Sequence, residues 1–151
     1  MPARAGLSVS DEGASAVEFA LVSFVLMLFL VGISQFGFTF MQYLEVVHAA
    51  REGARWASIR PGEGIGSVAQ TGSVKYRVSV AAPGLSPALS DEDISVTVDG
   101  APRDDVLTDT DSGKPVQVTV TYDSPLVIPP MNLFFPDGVV HLTSSATQMV
   151  E

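Results

Sequence analysis

An uncharged stretch, FALVSFVLMLFLVGISQFGFTFMQYL, occupies Phe19 to Leu44 and decides the fold class of this chain. It is 26 residues long. About 20 apolar residues are enough for a helix to cross the ~30 Å hydrocarbon core of a bilayer. Residues 24–31 are apolar on every face, which is typical of a lipid-facing helix and not of a surface helix. The stretch therefore predicts a membrane-spanning helix near the N-terminus.

Two other interpretations of this stretch fit the sequence less well. The first is a buried core helix of a soluble protein. The second is a secretory signal peptide, whose apolar region is only about 7–15 residues long and precedes a small-residue cleavage site. Here the residues at that place are Tyr43-Leu44-Glu45-Val46. We therefore expect the apolar segment to remain in the mature protein.

The helix is expected to begin near Ala14 and to continue beyond the apolar stretch. Its second half is amphipathic, with apolar residues near helical spacing at Val46, Val47, Ala50, Ala54 and Ala57. Arg60-Pro61-Gly62 predicts its end, because proline disfavours helical geometry in the preceding residue. At 1.5 Å per residue, such a helix is roughly 70 Å long. About half of it would lie in lipid, and the other half would project out to carry a domain.

The remainder of the chain has the pattern of a β domain. After a glycine-rich connector at 61–73, alternating residues predict strands at Val74–Val80, Ile94–Val98, Val116–Tyr122 and, less cleanly, Val139–Val150. Asp99-Gly100 is a hairpin turn signal. Four strands without a strong helix between them predict a small antiparallel sheet, covered on one face by the alanine-rich half of the helix. The expected fold class is α+β.

The charge of the chain is acidic and unevenly distributed. There are 17 acidic and 8 basic side chains, for a formal net charge of −9. Residues 1–60 carry four basic and five acidic side chains, whereas residues 61–151 carry four basic and twelve acidic ones. Such a chain has little to gain from counterion release on a phosphate backbone, so we expect no nucleic-acid partner.

Residue types that support catalysis or metal binding are scarce. The sequence contains no cysteine, which excludes disulfides, thiolate zinc sites and cysteine nucleophiles. Its two histidines are His48, beside acidic residues on the helix, and His141. A triad of His141, Ser144 and Asp137 would lack a nucleophile elbow or an oxyanion signature. We expect no catalytic residue, no metal site and no cofactor.

A short motif precedes the apolar stretch and ends at its first residue. It reads Gly13-Ala14-Ser15-Ala16-Val17-Glu18-Phe19. A carboxylate facing lipid costs a few kcal/mol, so Glu18 needs either a position at the membrane edge or a partner. Counted from Ala14, Glu18 is fifth and Phe19 is sixth. This spacing after a glycine resembles the processing site of type IV prepilins and pseudopilins.

The resemblance to prepilins implies a processing step and an assembly contact. In that family a membrane-embedded aspartyl peptidase cuts after the glycine, which here lies between Gly13 and Ala14. Residues 1–13 would then be a leader peptide. The fifth-position glutamate, here Glu18, would neutralise the new N-terminal ammonium at Ala14 of a neighbouring subunit.

Two further segments narrow the resemblance to one family. Phe36-Gly37 and His48-Ala49-Ala50-Arg51-Glu52-Gly53-Ala54-Arg55 resemble the TadE-like family of the tight-adherence pilus system. Its members commonly read EFG and NAAREGAR after a GxxAVEFAL start. Gln35 stands here in place of the acidic residue of EFG, and His48 in place of asparagine. The match is specific over residues 13–56 and weak beyond them.

The family resemblance implies a role in assembly and no catalysis. It implies a minor pilin or pseudopilin, single-pass in the bacterial inner membrane and able to enter the pilus. Residues 14–60 would form the helix, and residues 61–151 a β-rich domain outside the cytoplasm. The implied partners are membrane lipid, the prepilin peptidase, other pilin and pseudopilin subunits and the Tad assembly platform.

Helix packing in such an assembly would involve Phe19, Gly32 and Gly37. Small residues in a membrane helix let two backbones approach closely. The two glycines are spaced by five residues and not by four, so they fit ordinary membrane-helix glycines equally well. The sequence leaves these two interpretations open.

The expected orientation conflicts with the charge flanking the apolar stretch. Arg51, Arg55 and Arg60 follow it, and the positive-inside rule would hold them in the cytoplasm. The family resemblance implies the opposite orientation. These arginines alternate with acidic residues on a helix that continues past the membrane, and for that reason we follow the family.

Two segments of the β domain have two interpretations each. Asp109-Thr110-Asp111-Ser112-Gly113, in the acidic loop 104–113, resembles a calcium loop, and some pseudopilins bind calcium. It lacks a third oxygen donor before the glycine and a distal glutamate, so a solvated acidic loop is the better interpretation. The proline-rich segment 126–135 is either a docking patch or packs under the sheet.

Two other classes of function stay open at this point. One is an unprocessed, membrane-anchored binding module whose acidic domain recognises a basic partner, and it would retain residues 1–13. The other is a small envelope enzyme that uses His141. Replacement of both histidines without effect would exclude the enzyme.

Overall fold

A computed structural model of the chain describes residues 11–59, 62–126 and 137–151. Two α-helices lie within them, α1 at Asp11–Ile59 and α2 at Val74–Val80. The strands are β1 at Ile94–Val98, β2 at Ala101–Pro102, β3 at Pro115–Pro125 and β4 at Val139–Met149. Single turns of 3₁₀ helix at Asp91–Asp93 and Asp109–Asp111 complete the described elements.

The four strands form one antiparallel sheet in the order β2-β1-β3-β4. Strands β3 and β4 pair along their whole length, from Pro115 opposite Met149 to Pro125 opposite Val139. The hairpin between β1 and β2 turns at Asp99 and Gly100, which have φ values of 52° and 79°. Two positive φ values are what a tight two-residue hairpin requires, so the predicted turn is confirmed.

The second half of α1 covers one face of this sheet. Its inward side chains are small, and they have no exposed surface at Val46, Ala49, Ala50, Ala54 and Ala57. They pack on inward residues of the strands, among them Val116, Val118 and Val120. The core therefore lies between one helix and one sheet face. The predicted α+β class, with a long N-terminal helix on a small antiparallel sheet, is confirmed.

The prediction of a strand at Val74–Val80 is wrong, because this segment is the helix α2. The hydroxyl of Ser73 caps it by accepting a hydrogen bond from the N–H of Tyr76 at 3.0 Å. Val74 and Val78 are four residues apart, so a helix also places them on one face, where both are buried. Val80, which a strand would bury with them, is half exposed. The residue spacing fits both periods, and contact with α1 decides between them.

Within the described residues α1 covers Asp11–Ile59, which includes the expected start at Ala14 and reaches the residue before Arg60. Residues 1–10, Arg60-Pro61 and residues 127–136 lie outside the described part of the chain. So do most of the expected leader, the helix-ending proline and most of the proline-rich segment 126–135.

Candidate functional site

The first half of α1 is an exposed apolar helix. Large apolar side chains point away from the protein all around it, including Phe19, Phe24, Phe29, Ile33 and Phe36. Phe19 is 73% exposed, and Phe36, stacked on Phe40 with ring centroids 6.0 Å apart, is 70% exposed. The helix is long and apolar enough to cross a membrane. A single helix whose described large apolar side chains are mostly exposed is what a membrane anchor requires.

The predicted processing site lies at the start of this helix. Gly13, Ala14, Glu18 and Phe19 are all helical and exposed. Ala14 and Glu18 are four residues apart and therefore share one face of α1. Among the described residues, no ion pair is formed by Glu18.

The predicted packing glycines lie further along the same helix and do not share a face. At about 100° per residue, a spacing of five turns Gly37 roughly 140° away from Gly32. Gly32 is half-buried, and a Cβ built on Gly37 would meet no atom within 4 Å. Within the subunit, therefore, nothing requires glycine at position 37. Packing of both glycines against neighbouring helices stays a prediction, and it would need two different neighbours.

A glycine, Gly53, lies where α1 joins its domain. The sequence analysis identified it only as part of the family motif at residues 48–55. Gly53 is buried where α1 crosses α2 and β3. A Cβ at this position would lie 3.2 Å from a methyl of Val118 and closer still to a methyl of Val78. The glycine lets both elements approach the helix backbone. The signal in the sequence was the run of small residues Ala49, Ala50, Gly53 and Ala54.

Charged and aromatic side chains tie α2 to the same part of α1. Arg77 donates two hydrogen bonds to one carboxylate oxygen of Glu52, both at 3.2 Å. Its guanidinium also lies over the Trp56 ring, 4.7 Å from the centroid. The Trp56 indole N–H in turn donates to Glu63 at 2.9 Å. Glu52 also lies 4.0 Å from Arg55, but Arg77 is the closer partner at 3.2 Å.

Two contacts on α1 lie nearer to the exposed half. The carboxylate of Glu45 accepts a hydrogen bond from the N–H of Gly84 at 2.9 Å. The Ser124 hydroxyl, at the end of β3, donates to the side-chain oxygen of Gln42.

Burial raises the pKa of Tyr122, and the Glu45 and Asp93 carboxylates raise it further. Tyr122 is thus a neutral core residue close to the level where α1 leaves its domain.

The acidic loop is organised around one buried carboxylate. Asp111 is 1% exposed and accepts hydrogen bonds from Arg103 at 2.7 Å, Lys114 at 3.2 Å and the Thr108 N–H at 3.1 Å. The Thr108 backbone bond, helped by the two cations, lowers the pKa of Asp111 to about 2, although burial acts in the opposite direction. The expectation of a solvated loop is therefore wrong at Asp111. Two cations already neutralise it, and the described residues contain no cluster of metal ligands.

The two histidines lie on different elements, His48 on α1 and His141 on β4. His141 lies on β4 and is exposed, with its Nδ1 atom 2.6 Å from a carboxylate oxygen of Asp123. The carboxylate beside His141 is therefore that of Asp123, and not that of Asp137 as the triad would require. His48 is exposed at the rim of an open cleft between α1 and α2, beside Glu52 and Arg77.

Comparison with known proteins points to one family. A family model described as TadE-like protein matches residues 13–55 of this chain. No curated protein and no solved structure matches it. The matched segment begins at the predicted processing glycine, runs through the exposed half of α1 and ends in the junction that contains Gly53. The resemblance drawn from the sequence is confirmed over residues 13–55, where the chain is similar to the TadE-like family.

Proposed function

We propose that this chain is a minor pilin or pseudopilin of a tight-adherence pilus. It is made as a precursor, and a prepilin peptidase cuts it between Gly13 and Ala14. The mature chain is anchored in the bacterial inner membrane by the first half of α1, with its sheet domain outside the cytoplasm. From there it enters or initiates the pilus together with other pilin subunits on the Tad assembly platform.

The main support for the proposal is that α1 is divided into an exposed apolar half and a half that packs on the sheet. A helix of this kind is stable as a monomer in lipid, and in an assembly it can exchange lipid contacts for contacts with other helices. The TadE-like match over residues 13–55 covers the same exposed half and its junction. Both observations support assembly through the helix.

Charge at the start of α1 supports the proposed contact between subunits. A lone carboxylate is costly in lipid, by about 3 kcal/mol on insertion scales. Cleavage after Gly13 would create an ammonium group at Ala14, one helical turn before Glu18. Pairing that ammonium with Glu18 of a neighbour would neutralise two charges at once in a medium of low dielectric constant.

The experiment that tests the proposal is mass spectrometry of the mature N-terminus, on protein purified from its native membrane. We expect a chain that starts at Ala14. Replacing Gly13 with a bulky residue, Gly13→Leu, should cause the uncut precursor to accumulate. Gly37→Leu is the matched control, since it makes the same change in open space on the same helix and should leave cleavage unchanged.

The other outcome of this measurement would change the functional assignment. A wild-type chain that still carries residues 1–13 has no ammonium at Ala14 for Glu18 to meet. That result would overturn the proposed processing and favour an unprocessed, membrane-anchored binding module.

A further inference from the structure

Among the described residues, the sheet has one long unpaired edge, formed by β4. Backbone bonds at the two ends of the β3–β4 ladder join even-numbered residues, Val150 to Lys114 and Leu126 to Gly138. In an antiparallel pair the bonded residues recur every two positions. The even-numbered residues of β4 therefore bond to β3. The N–H and C=O groups of the odd-numbered residues point to the open edge: Val139, His141, Thr143, Ser145, Thr147 and Met149.

The two edges of the sheet differ in how they are protected. The β2 edge is only two residues long and contains Pro102, which has no N–H to offer. Short length and proline are common ways of blocking an edge from further pairing. The β4 edge is 11 residues long and contains no proline, lysine, arginine or acidic residue. Among the described strands, β4 alone presents a long unprotected edge.

The direction of β4 relative to α1 restricts which strand can pair with it. Glu151, just beyond β4, donates its N–H to the carbonyl of Ser58 near the end of α1. Val140, at the start of β4, lies opposite Ser124, which bonds to Gln42. Strand β4 thus runs alongside α1 in the same direction, away from the exposed apolar half.

A second copy of this chain cannot pair antiparallel with the β4 edge and share its membrane. Antiparallel pairing of β4 with its own copy requires a twofold axis perpendicular to the sheet. That axis reverses the direction of any helix lying along the sheet, so the two apolar halves would project from opposite ends and could not share one membrane. Pairing with the β2 edge of a copy would keep the helices parallel, but β2 offers only two residues.

We infer that the β4 edge binds an extended strand of a second, different subunit anchored in the same membrane. The partner strand runs towards the membrane, antiparallel to β4. The side chains that β4 places beside it are polar and uncharged at Thr143, Ser145 and Thr147, so an uncharged strand fits without burying an unpaired charge. This inference rests on the proposed function in that it needs both chains in one membrane.

Backbone amide exchange tests this inference directly. The protein is compared in detergent solution and in the native membrane fraction of cells that carry the complete pilus machinery. In the free chain, the amides of Thr143, Ser145 and Thr147 should exchange fast, whereas Leu142, Ser144 and Ala146 should be protected by β3. In the native fraction, exchange of the three odd-numbered amides should slow by about tenfold or more. Equal rates in the two samples would overturn the inference.

A proline substitution supplies a second test that acts on the backbone alone. Ser145→Pro removes one N–H from the open edge and none from the β3 ladder, so the domain should fold. We expect several-fold less of this variant in assemblies, while the control Ser145→Ala, which keeps the N–H, should assemble as wild type. Normal assembly of Ser145→Pro would contradict the inference.

The identity of the partner and the processing step are tested separately. The chain has no cysteine, so Ser145→Cys introduces a single thiol on the open edge. A disulfide-linked homodimer of this variant in the native membrane would overturn the assignment of a different subunit. A retained leader at residues 1–13 would refute processing but would leave the amide exchange of β4 as an independent result.

Discussion

The two halves of α1 belong to one continuous helix but meet different surroundings. Before Leu44 most of its side chains are large, apolar and exposed, as at Phe19 and Phe36. After Glu45 its inward side chains are small and buried, as at Ala50 and Ala54. In the first half most large apolar side chains are exposed and the polar Gln35 is a buried exception, whereas the second half forms one side of the folded core.

This difference shows how side-chain size divides the functions of one helix. Large apolar groups maximise contact with lipid or with neighbouring helices. Small groups let a sheet approach the helix backbone closely, which gives the core its dense packing. Changes in the first half should therefore affect assembly, and changes in the second half should affect the stability of the domain.

Gly53→Val should produce the largest loss of stability, because the new side chain would enter space filled by Val78 and Val118. Overpacking at such a site typically costs up to about 3 kcal/mol. The measurement is the free energy of unfolding of the full chain in detergent. Gly37→Val is the matched control in open space on the same helix, and we expect less than about 1 kcal/mol of change there. Similar losses of stability at both glycines would contradict the proposed difference between the two halves of α1.

Glu18→Ala should impair assembly and leave the domain intact. Without the carboxylate, the Ala14 ammonium of a neighbour stays unpaired in lipid, a loss of about 2 kcal/mol or roughly 30-fold in association. The measurement is the amount of the variant in pili sheared from cells, with cleavage after Gly13 followed by mass spectrometry. Unchanged cleavage together with wild-type incorporation would exclude the charge pair.

Arg77→Ala should weaken the attachment of α2 to α1 moderately. The substitution removes the ion pair with Glu52 and the contact over the Trp56 ring. We expect about 1 kcal/mol of lost stability, since both groups are partly exposed. Arg55→Ala is the control on the outer face of the helix, where the 4.0 Å pair should contribute less than about 0.5 kcal/mol. Equal effects of the two substitutions would mean that the α2 contact adds no stability.

Asp111→Asn should change how stability depends on pH. The pKa of Asp111 is lowered to about 2 from an ordinary value of 3.8. Its charge therefore stabilises the fold above pH 3.8, and this contribution is lost as pH falls through about 2. Denaturant unfolding of the full chain between about pH 5 and 2.5 should show a steeper decline for wild type than for the variant. Equal pH dependence of stability in the two proteins would show that the folded state does not stabilise the ionised form of Asp111.

Much of the fold could be predicted because it depends on local pattern. The 26-residue uncharged stretch, the helix end near Ile59 and the alternating residues of β1, β3 and β4 each specify one element. The TadE-like motifs likewise lie in a contiguous segment. The processing and packing residues Gly13, Ala14, Glu18, Phe19, Gly32 and Gly37 stay predictions about contacts between subunits.

Two predictions were wrong, the strand at Val74–Val80 and the solvent exposure of Asp111. Both features depend on contacts between residues that are far apart in the sequence or on how a loop folds. Val74–Val80 fits a strand and a helix equally by spacing, and only burial of Val74 and Val78 under α1 selects the helix. Asp111 looked like a solvent-exposed loop residue, because Arg103 becomes its partner only when the loop folds back on itself.

The sequence by itself determined that a long helix with a 26-residue uncharged stretch precedes a small β domain, because hydropathy and residue period are properties of neighbouring residues. Tertiary structure alone decided that Gly53 must remain small, that Arg77 reaches Glu52 and Trp56, and that β4 is left as the open edge. Each of these depends on which surfaces meet when the helix packs on the sheet, and distant contacts of this kind leave no periodic signal in the chain.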